Sequence, residues 1–181
     1  DARYEFYPTS SETVSFGVFY KKFKNPIENY VQPVGLSPQF TLQNASSATN
    51  YGAELELRKS LDKISQNEII KNLSIVLNAS YIFSQVDLGK DSTLSQAQKR
   101  PLQGQSPYVF NAGLQYINKE AGWSFAANTN RVGDRITIHG NQTTGNTAPA
   151  FWEKSRTFLD FQIAKNLLKN KIELKLNVRN A

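Results

Sequence analysis

Hydrophobic and polar side chains alternate along most of the chain. In residues 73–84, for example, the odd positions are all aliphatic or aromatic, whereas the even positions are mostly Ser and Asn. A period of two places the two sets on opposite faces of a β-strand. The same alternation predicts eight strands, which cover residues 2–7, 13–22, 51–59, 73–84, 108–117, 123–131, 157–163 and 172–179.

The connections between the predicted strands differ regularly in length. The long ones are residues 25–48, 87–105 and 140–152, and the shorter ones are residues 8–11, 62–71, 118–122 and 166–170. Long loops at one end and short turns at the other are typical of outer-membrane β-barrels, whose strands need about 9–11 residues to cross a bilayer.

The alternation slips at one place near the third long connection. It stops after Arg131 and resumes at Ile136 and Ile138. This slip predicts a β-bulge near Val132 and Gly133, because one extra residue in a strand shifts the phase of every side chain after it.

The two faces of the predicted strands differ in chemistry. One face is aliphatic and aromatic almost throughout, and the other carries Ser, Asn, Gln, Gly and charges of both signs. The aromatic residues concentrate near strand ends, as in the girdles of membrane barrels; they are Tyr20, Tyr51, Tyr81, Phe83, Tyr108, Tyr116 and Trp123. These features favour a barrel whose apolar face meets lipid and whose polar face lines the lumen. A soluble β-sandwich or small barrel, such as a lipocalin-like binder, is the alternative.

The composition excludes several functional classes. The chain has no Cys and one His, which excludes a disulfide framework, a thiol nucleophile and a metal site built on Cys or several His. No apolar run approaches the roughly 18 residues of a transmembrane helix. A Gly-x-Ser-x-Gly elbow is absent, and a catalytic triad would have to use His139, for which we expect a structural or solvated role. We therefore expect no enzyme activity and no cofactor.

Two stretches resemble a known family. Residues 49–56 read TNYGAELE, and residues 100–114 read RPLQGQSPYVFNAGL. Both resemble strands of TonB-dependent outer-membrane receptors, especially of the Bacteroidetes type, in which the second motif leads from an extracellular loop into a strand. The order of hairpins is similar to the C-terminal part of such a barrel.

The resemblance implies an all-β fold: an antiparallel transmembrane β-barrel, with about eight strands here of a barrel that has about 22 in this class. The chain has no Met, so we expect residue 1 to be a processed or truncated end. Residues 1–181 are expected to form one partial barrel domain without the plug domain.

The function that the resemblance implies is active uptake of a scarce ligand, such as an iron chelate, a cofactor, a glycan or a peptide. The implied partners are an N-terminal plug domain of the parent chain, the TonB complex acting through that plug, and a surface lipoprotein. A passive porin, or a small eight-stranded barrel with an anchoring or adhesion role, remains the alternative.

Two groups of residues are candidates for function. Charged residues on the polar face are expected to line the lumen and contact the plug; they are Glu54, Glu56, Arg58, Asp160, Glu173 and Lys175. Polar and aromatic residues of the long loops are candidates for ligand contact; they are Arg100, Arg135, Asn141 and Trp152. For Trp152, anchoring at the outer membrane interface is the favoured interpretation, and stacking on a sugar or chelate ring of the ligand is the alternative.

The net charge of +6 arises chiefly on the long-loop side. We expect a basic rim there, which would face outer-membrane lipid and lipopolysaccharide and attract an anionic ligand. Nucleic-acid binding is not expected, because such sites interleave exposed aromatic and basic residues on one face. Here the strand aromatics share the apolar face instead.

Overall fold

The computed structural model describes residues 1–34, 37–89, 100–140, 142–143, 146–168 and 171–181. Most of them form β-strands. In chain order the elements are β1 (Ala2–Phe6), β2 (Thr13–Lys24), β3 (Ile27–Val34), β4 (Ser37–Asn44), β5 (Ser47–Ser60), α1 (Glu68–Lys71), β6 (Leu73–Asp87), β7 (Tyr108–Asn118), β8 (Trp123–Val132), β9 (Arg135–Gly140), β10 (Gln142–Thr143), β11 (Asn146–Thr147), β12 (Phe151–Glu153), β13 (Arg156–Leu167) and β14 (Ile172–Val178).

Eight strands form one antiparallel sheet, in the order β1-β2-β5-β6-β7-β8-β13-β14, which we call the wall. All eight predicted strands are confirmed, and the wall is a meander because each strand pairs with its predecessor in this order. Several strands extend further toward the long connections than predicted: β5 begins at Ser47 and β6 reaches Asp87. We call this end of the wall the loop end, and the opposite end the turn end.

The apolar face of the wall is continuous across its strands. Phe16 pairs with Leu55, and Leu55 with Ala79, so the alternation of each strand adds to that of its neighbours. Phe16 is 52% exposed and Leu55 is 49% exposed. A soluble sandwich would bury such a face, whereas a membrane barrel leaves it to the lipid.

Aromatic side chains border this face at both ends. At the loop end Tyr51 and Phe83 stack with ring centroids 5.3 Å apart, and at the turn end Trp123 and Phe125 stack at 5.7 Å. Along one strand the eight steps from Tyr108 to Tyr116 span about 27 Å. With a strand tilt of about 40°, the apolar band is about 20 Å tall, close to the roughly 25 Å band of outer-membrane barrels.

The long connections carry a second sheet that the alternation does not predict. Its strand order is β12-β9-β3-β4, and we call it the loop sheet. The first long connection contributes the antiparallel hairpin of β3 and β4, and the third contributes β9 and β12. The two connections meet in a short parallel pairing, in which Tyr30 and Val31 face His139 and Gly140.

The predicted β-bulge near Val132 and Gly133 is wrong. The wall strand β8 ends at Val132, and β9 leaves the wall to join the loop sheet. The amide of Gly133 donates to the Tyr108 carbonyl at 3.0 Å, which closes the last rung before the chain departs. The phase slip therefore marks the point where the chain passes from the wall to the loop sheet. After this point the side chains alternate with respect to the faces of the loop sheet.

The turn end holds short connections, one of which includes α1. Asn67 caps this helical turn, accepting a hydrogen bond from the Ile69 amide at 2.8 Å. Within the described ranges, no helix is sufficiently long and apolar to span a membrane.

Candidate functional site

The loop sheet lies over the polar face of the wall. A buried apolar cluster, which we call the loop core, joins the two; it consists of Tyr30, Ala45, Ala48, Val86 and Leu88, with Leu102 packed against it. Ala48 and Val86 are each three residues from outward-facing Tyr51 and Phe83, so they lie on the opposite, polar face. The loops therefore fold toward the lumenal side of the wall.

Residues 100–105, which we call the clasp, run between the wall and the loop sheet. On the wall side, the Val86 amide donates to the Arg100 carbonyl at 2.8 Å, and the Leu102 amide donates to Ser84 Oγ at 2.9 Å. The Asn50 side-chain amide donates to Gln105 Oε1 at 3.0 Å. These contacts place half of the RPLQGQSPY motif against the inner surface of β5 and β6.

A buried ion pair joins the clasp to β3. The Glu28 carboxylate has no exposed surface, and the Arg100 side chain is 9% exposed. Arg100 Nη1 donates to Glu28 Oε1 at 3.0 Å and Nη2 donates to Oε2 at 2.6 Å, the bidentate geometry that a guanidinium favours. Tyr30 Oη accepts from Arg100 Nη2 at 2.6 Å and donates to Glu28 Oε2 at 3.2 Å.

His139 brings the third long connection to the same ion pair. Its Nε2 lies 2.8 Å from Arg100 Nη1 and 3.1 Å from Glu28 Oε1. A guanidinium can only donate and a carboxylate can only accept, so Nε2 accepts from Arg100 in one tautomer of the ring and donates to Glu28 in the other. The imidazole also packs against the Tyr30 ring, with centroids 5.4 Å apart.

The ionisation of this cluster follows from its contacts. Burial by itself would raise the pKa of Glu28, but hydrogen bonds from His139, Arg100 and the Gln103 amide outweigh it and lower the pKa to about 2. For Tyr30, burial is the main cause that raises the pKa to about 12. Near neutral pH the cluster thus contains an ionised carboxylate that faces the Arg100 guanidinium.

The predicted lumen-facing residues share the polar face of the wall. Glu56 accepts from Arg3 Nη2 at 2.9 Å, and Glu54 lies between Gly17 and Ser80 on the neighbouring strands. The other four extend across the sheet: Arg58 on β5, Asp160 on β13, and Glu173 and Lys175 on β14. Their contact with a plug remains a prediction.

An asparagine row on this face was missed from the sequence. Asn78, Asn111 and Asn130 are register partners on β6, β7 and β8, and Asn130 Nδ2 donates to Asn111 Oδ1 at 2.6 Å. In the same row, Glu56 faces Asn78. Each Asn stood at a polar position of the alternation, but only the register shows that they meet.

The four loop candidates are placed very differently. Arg100 does not belong to the exposed basic rim, because its guanidinium is buried against side chains of the loop sheet. Arg135 Nε donates to Glu153 at 2.8 Å near the surface, and Trp152 is 48% exposed. Asn141 lies outside the described residues. Ligand contact by any of the four remains a prediction.

Comparisons with known proteins agree with this architecture. The family model described as TonB dependent receptor-like, beta-barrel matches residues 1–181. Two crystal structures of mutants of the ferric enterobactin receptor PfeA from Pseudomonas aeruginosa are similar, each with a TM-score of 0.61, at 17% and 16% identity. Each alignment covers 97% of this chain and 24% of the receptor, so the chain spans about a quarter of the length of these receptors.

None of the curated proteins matches the chain. The structural likeness shows the barrel fold, and the family match extends over every residue. The chain therefore belongs to the TonB-dependent receptor β-barrel family, whose members are outer-membrane receptors of Gram-negative bacteria.

Proposed function

We propose that this chain is part of the barrel of a receptor that actively takes up a scarce ligand into the periplasm, in an organism of the Bacteroidetes type. The ligand classes are an iron chelate, a cofactor, a glycan or a peptide. The observation that carries the proposal is the two-faced wall: its apolar face is exposed between two aromatic girdles, and its polar face is covered at one end by a folded loop sheet.

The loop end is the proposed ligand side, because long loops of such barrels face the exterior. The loop sheet is held against the wall by buried contacts, so its surface has a defined shape before a ligand binds. Trp152 and Arg135 offer an exposed ring and a cation on that surface. Asn141 and Arg100 are the other two proposed ligand residues; because Arg100 is buried, we propose that it acts by holding β3 and the clasp in place.

The polar face of the wall is the proposed plug side. Glu54, Glu56 and Arg58 on β5 present charges of both signs, and the asparagine row adds neutral donors and acceptors. Such a surface suits a folded polar domain, because each group can exchange water for a partner of matching polarity. We propose further that this chain forms the C-terminal part of the barrel. The plug domain of the parent protein would then couple the barrel to the TonB complex.

Lipopolysaccharide is the proposed neighbour at the outer rim. Lys22 and Lys24 follow Tyr20 at every second position of β2, so they share its lipid-facing side just beyond the girdle. Both side chains are exposed. Ammonium groups at this height suit the phosphates of an anionic outer leaflet. A surface lipoprotein partner is a further proposal, to be sought by co-purification with the full-length receptor.

Uptake by intact cells tests the transport proposal. Cells with and without the full-length gene are given radiolabelled ferric enterobactin, cobalamin, an oligosaccharide mixture or a peptide mixture. We expect one probe to accumulate only when the gene is present, and to stop when a protonophore removes the proton gradient. Gene-dependent accumulation that survives the protonophore would instead show a passive porin. If cells with and without the gene accumulated each probe equally, the proposal that the receptor takes up any of these probes would be contradicted.

A further inference from the structure

We infer that Gln103 is a positioning residue: its side-chain amide joins the first and third long connections, so that both loops and the clasp open and close as one unit on the wall. The inference uses the proposed function only to place these loops at the outer mouth. The structural coupling itself would hold whatever ligand the receptor takes.

The first step is the gap between β3 and β9. These strands pair in parallel only at Tyr30 with His139 and at Val31 with Gly140. Asn29 and Thr137, which precede these pairs on the two strands, are not register partners of each other. The Gln103 side chain fills this place: Oε1 accepts from the Asn29 amide at 2.6 Å, and Nε2 donates to the Thr137 carbonyl.

A primary amide has the same donor and acceptor pair as a peptide group. Gln103 therefore acts as one residue of an extra strand inserted between β3 and β9. Its contacts satisfy two backbone groups, one in each of two long connections. These connections are more than 100 residues apart in the chain: Glu28 in the first and His139 in the third are separated by 111 residues.

The backbone beside Gln103 repeats the same link. The Gln103 amide donates to Glu28 Oε1 at 3.1 Å, and the Gly104 amide donates to the Ile136 carbonyl at 2.8 Å. The clasp is fixed to the wall by its own ends, through the Arg100 carbonyl and Gln105. Two consecutive residues thus hold both loops, and their neighbours hold the wall.

The buried charges make this joint cooperative. If β3 moved away alone, Arg100 would stay behind without its carboxylate. If the clasp moved away alone, Glu28 would be left with only His139 and Tyr30. Separating a buried pair is much less favourable than exposing both partners together to water. Opening of the loop sheet is therefore expected to involve both loops at once.

Hydrogen exchange on the full-length receptor in nanodiscs, followed by mass spectrometry, tests the coupling. The variant is Gln103→Met, which keeps the side-chain length and removes both hydrogen bonds. We expect amide exchange to rise by about tenfold in residues 27–34 and 135–140 together, with residues 108–118 and 123–132 unchanged. Exchange that rises in one loop only, or in neither, would overturn the inference.

Gln105→Met is the matched control. Gln105 lies two residues along the same segment and is also partly buried, but its amide contacts Asn50 and the Ser106 carbonyl rather than the two loops. We expect this variant to raise the exchange of β3 and β9 much less than Gln103→Met does, because both loops keep their link and the Arg100 carbonyl still anchors the clasp to the wall. Equal effects of the two variants would show that the clasp merely fills space, and would refute a special role for Gln103.

A milder variant keeps the test decisive if Gln103→Met disturbs assembly of the barrel. Gln103→Asn retains the amide but is one methylene too short to reach both strands, so the same two segments are expected to exchange faster by a smaller factor. Protection that stays at the wild-type level in Gln103→Asn would overturn the inference. Neither measurement needs a ligand, so failure here is distinct from failure of the uptake experiment.

Discussion

The wall and the loop sheet are both β-structure, but opposite solvents shape them. The wall keeps residues such as Phe16 and Leu55 exposed and satisfies its backbone by an unbroken antiparallel ladder. The loop sheet buries Glu28, Tyr30 and His139, and it has only a short parallel pairing at its centre. The wall can therefore be stable only where lipid covers its apolar face, whereas the loop sheet depends on contacts made within the protein.

This difference predicts different sensitivities. In the wall, a change of polarity on the lipid face should matter more than the loss of any one side-chain contact. In the loop sheet, the loss of one partner from the buried cluster should matter most, because the remaining charge has no water to replace it. The following predictions test that contrast in order of expected size.

Arg100→Met is expected to have the largest effect, destabilising the loop sheet by about 3–5 kcal/mol, because it leaves Glu28 buried without its cation. Urea unfolding is followed by tryptophan fluorescence. The difference between spectra with Trp152 and with Trp152→Phe isolates the Trp152 signal, which reports on the loop sheet, whereas Trp123 reports on the wall. Only the Trp152 signal should shift.

Arg135→Met is the control for Arg100→Met. Its ion pair with Glu153 is partly exposed, so its loss should change stability by less than about 1 kcal/mol. Similar urea midpoints for the two variants would mean that burial of the Glu28–Arg100 pair has no special weight.

Leu55→Arg tests the wall from its lipid face. A cation near the middle of the apolar band should destabilise the barrel by about 2–4 kcal/mol. The adjacent change Glu54→Gln, on the polar face, should cost far less. Unfolding of the full-length receptor in lipid vesicles, followed by the change in its electrophoretic mobility, measures both. Equal costs would contradict the assignment of the two faces.

Acid should weaken the loop sheet through Glu28. Its folded-state pKa of about 2 lies below the ordinary value of 4.5, so the stabilisation is fully present above pH 4.5 and is lost as pH falls from 4.5 toward 2. The amount at stake is about 3 kcal/mol. Hydrogen exchange of β3 between pH 6 and pH 2, corrected for the intrinsic rate, should show this loss in the wild type. Glu28→Gln should flatten that part of the profile; an unchanged profile would exclude Glu28 as its source.

Gly52→Ala is expected to have the smallest effect, about 1–3 kcal/mol, on the wall alone. A methyl group there would lie 2.2 Å from the Tyr81 carbonyl oxygen and 2.9 Å from the Phe19 ring, so the backbone must shift. Gly17→Ala is the matched control on the neighbouring strand, since its nearest neighbour would lie at an ordinary 3.6 Å. The thermal midpoint should fall for Gly52→Ala only, and a comparable fall for both would point to a general loss of glycine rather than to this close approach.

Much of the wall could be predicted from the sequence, because each strand records its two environments in its own alternation. The polar-face positions of Glu54 and Glu56 followed from the same local rule. The loop sheet could not be predicted in this way: β3 lacks regular alternation, the alternation around Phe40 and Leu42 in β4 is short, and the stability of both strands comes from partners far along the chain. Glu28 and Arg100 are 72 residues apart, so no local pattern connects them.

His139 shows the limit most clearly. As a single histidine near the base of a loop, it indicated only a structural or solvated role, and the structure supplies the buried partners that define that role. Arg100 was selected through its motif, yet its side chain lies inside the protein rather than on the rim. Gln103 and the asparagine row gave no signal beyond their polarity.

The sequence by itself determined the eight wall strands, their two faces and the ends at which aromatics gather, because a period of two encodes which solvent each side chain meets. Only the tertiary structure decided that the long connections form a sheet over the lumenal face, and that one carboxylate, one guanidinium and one amide hold it there. Those contacts depend on directional hydrogen bonds between distant segments, and direction and distance exist only after the chain has folded.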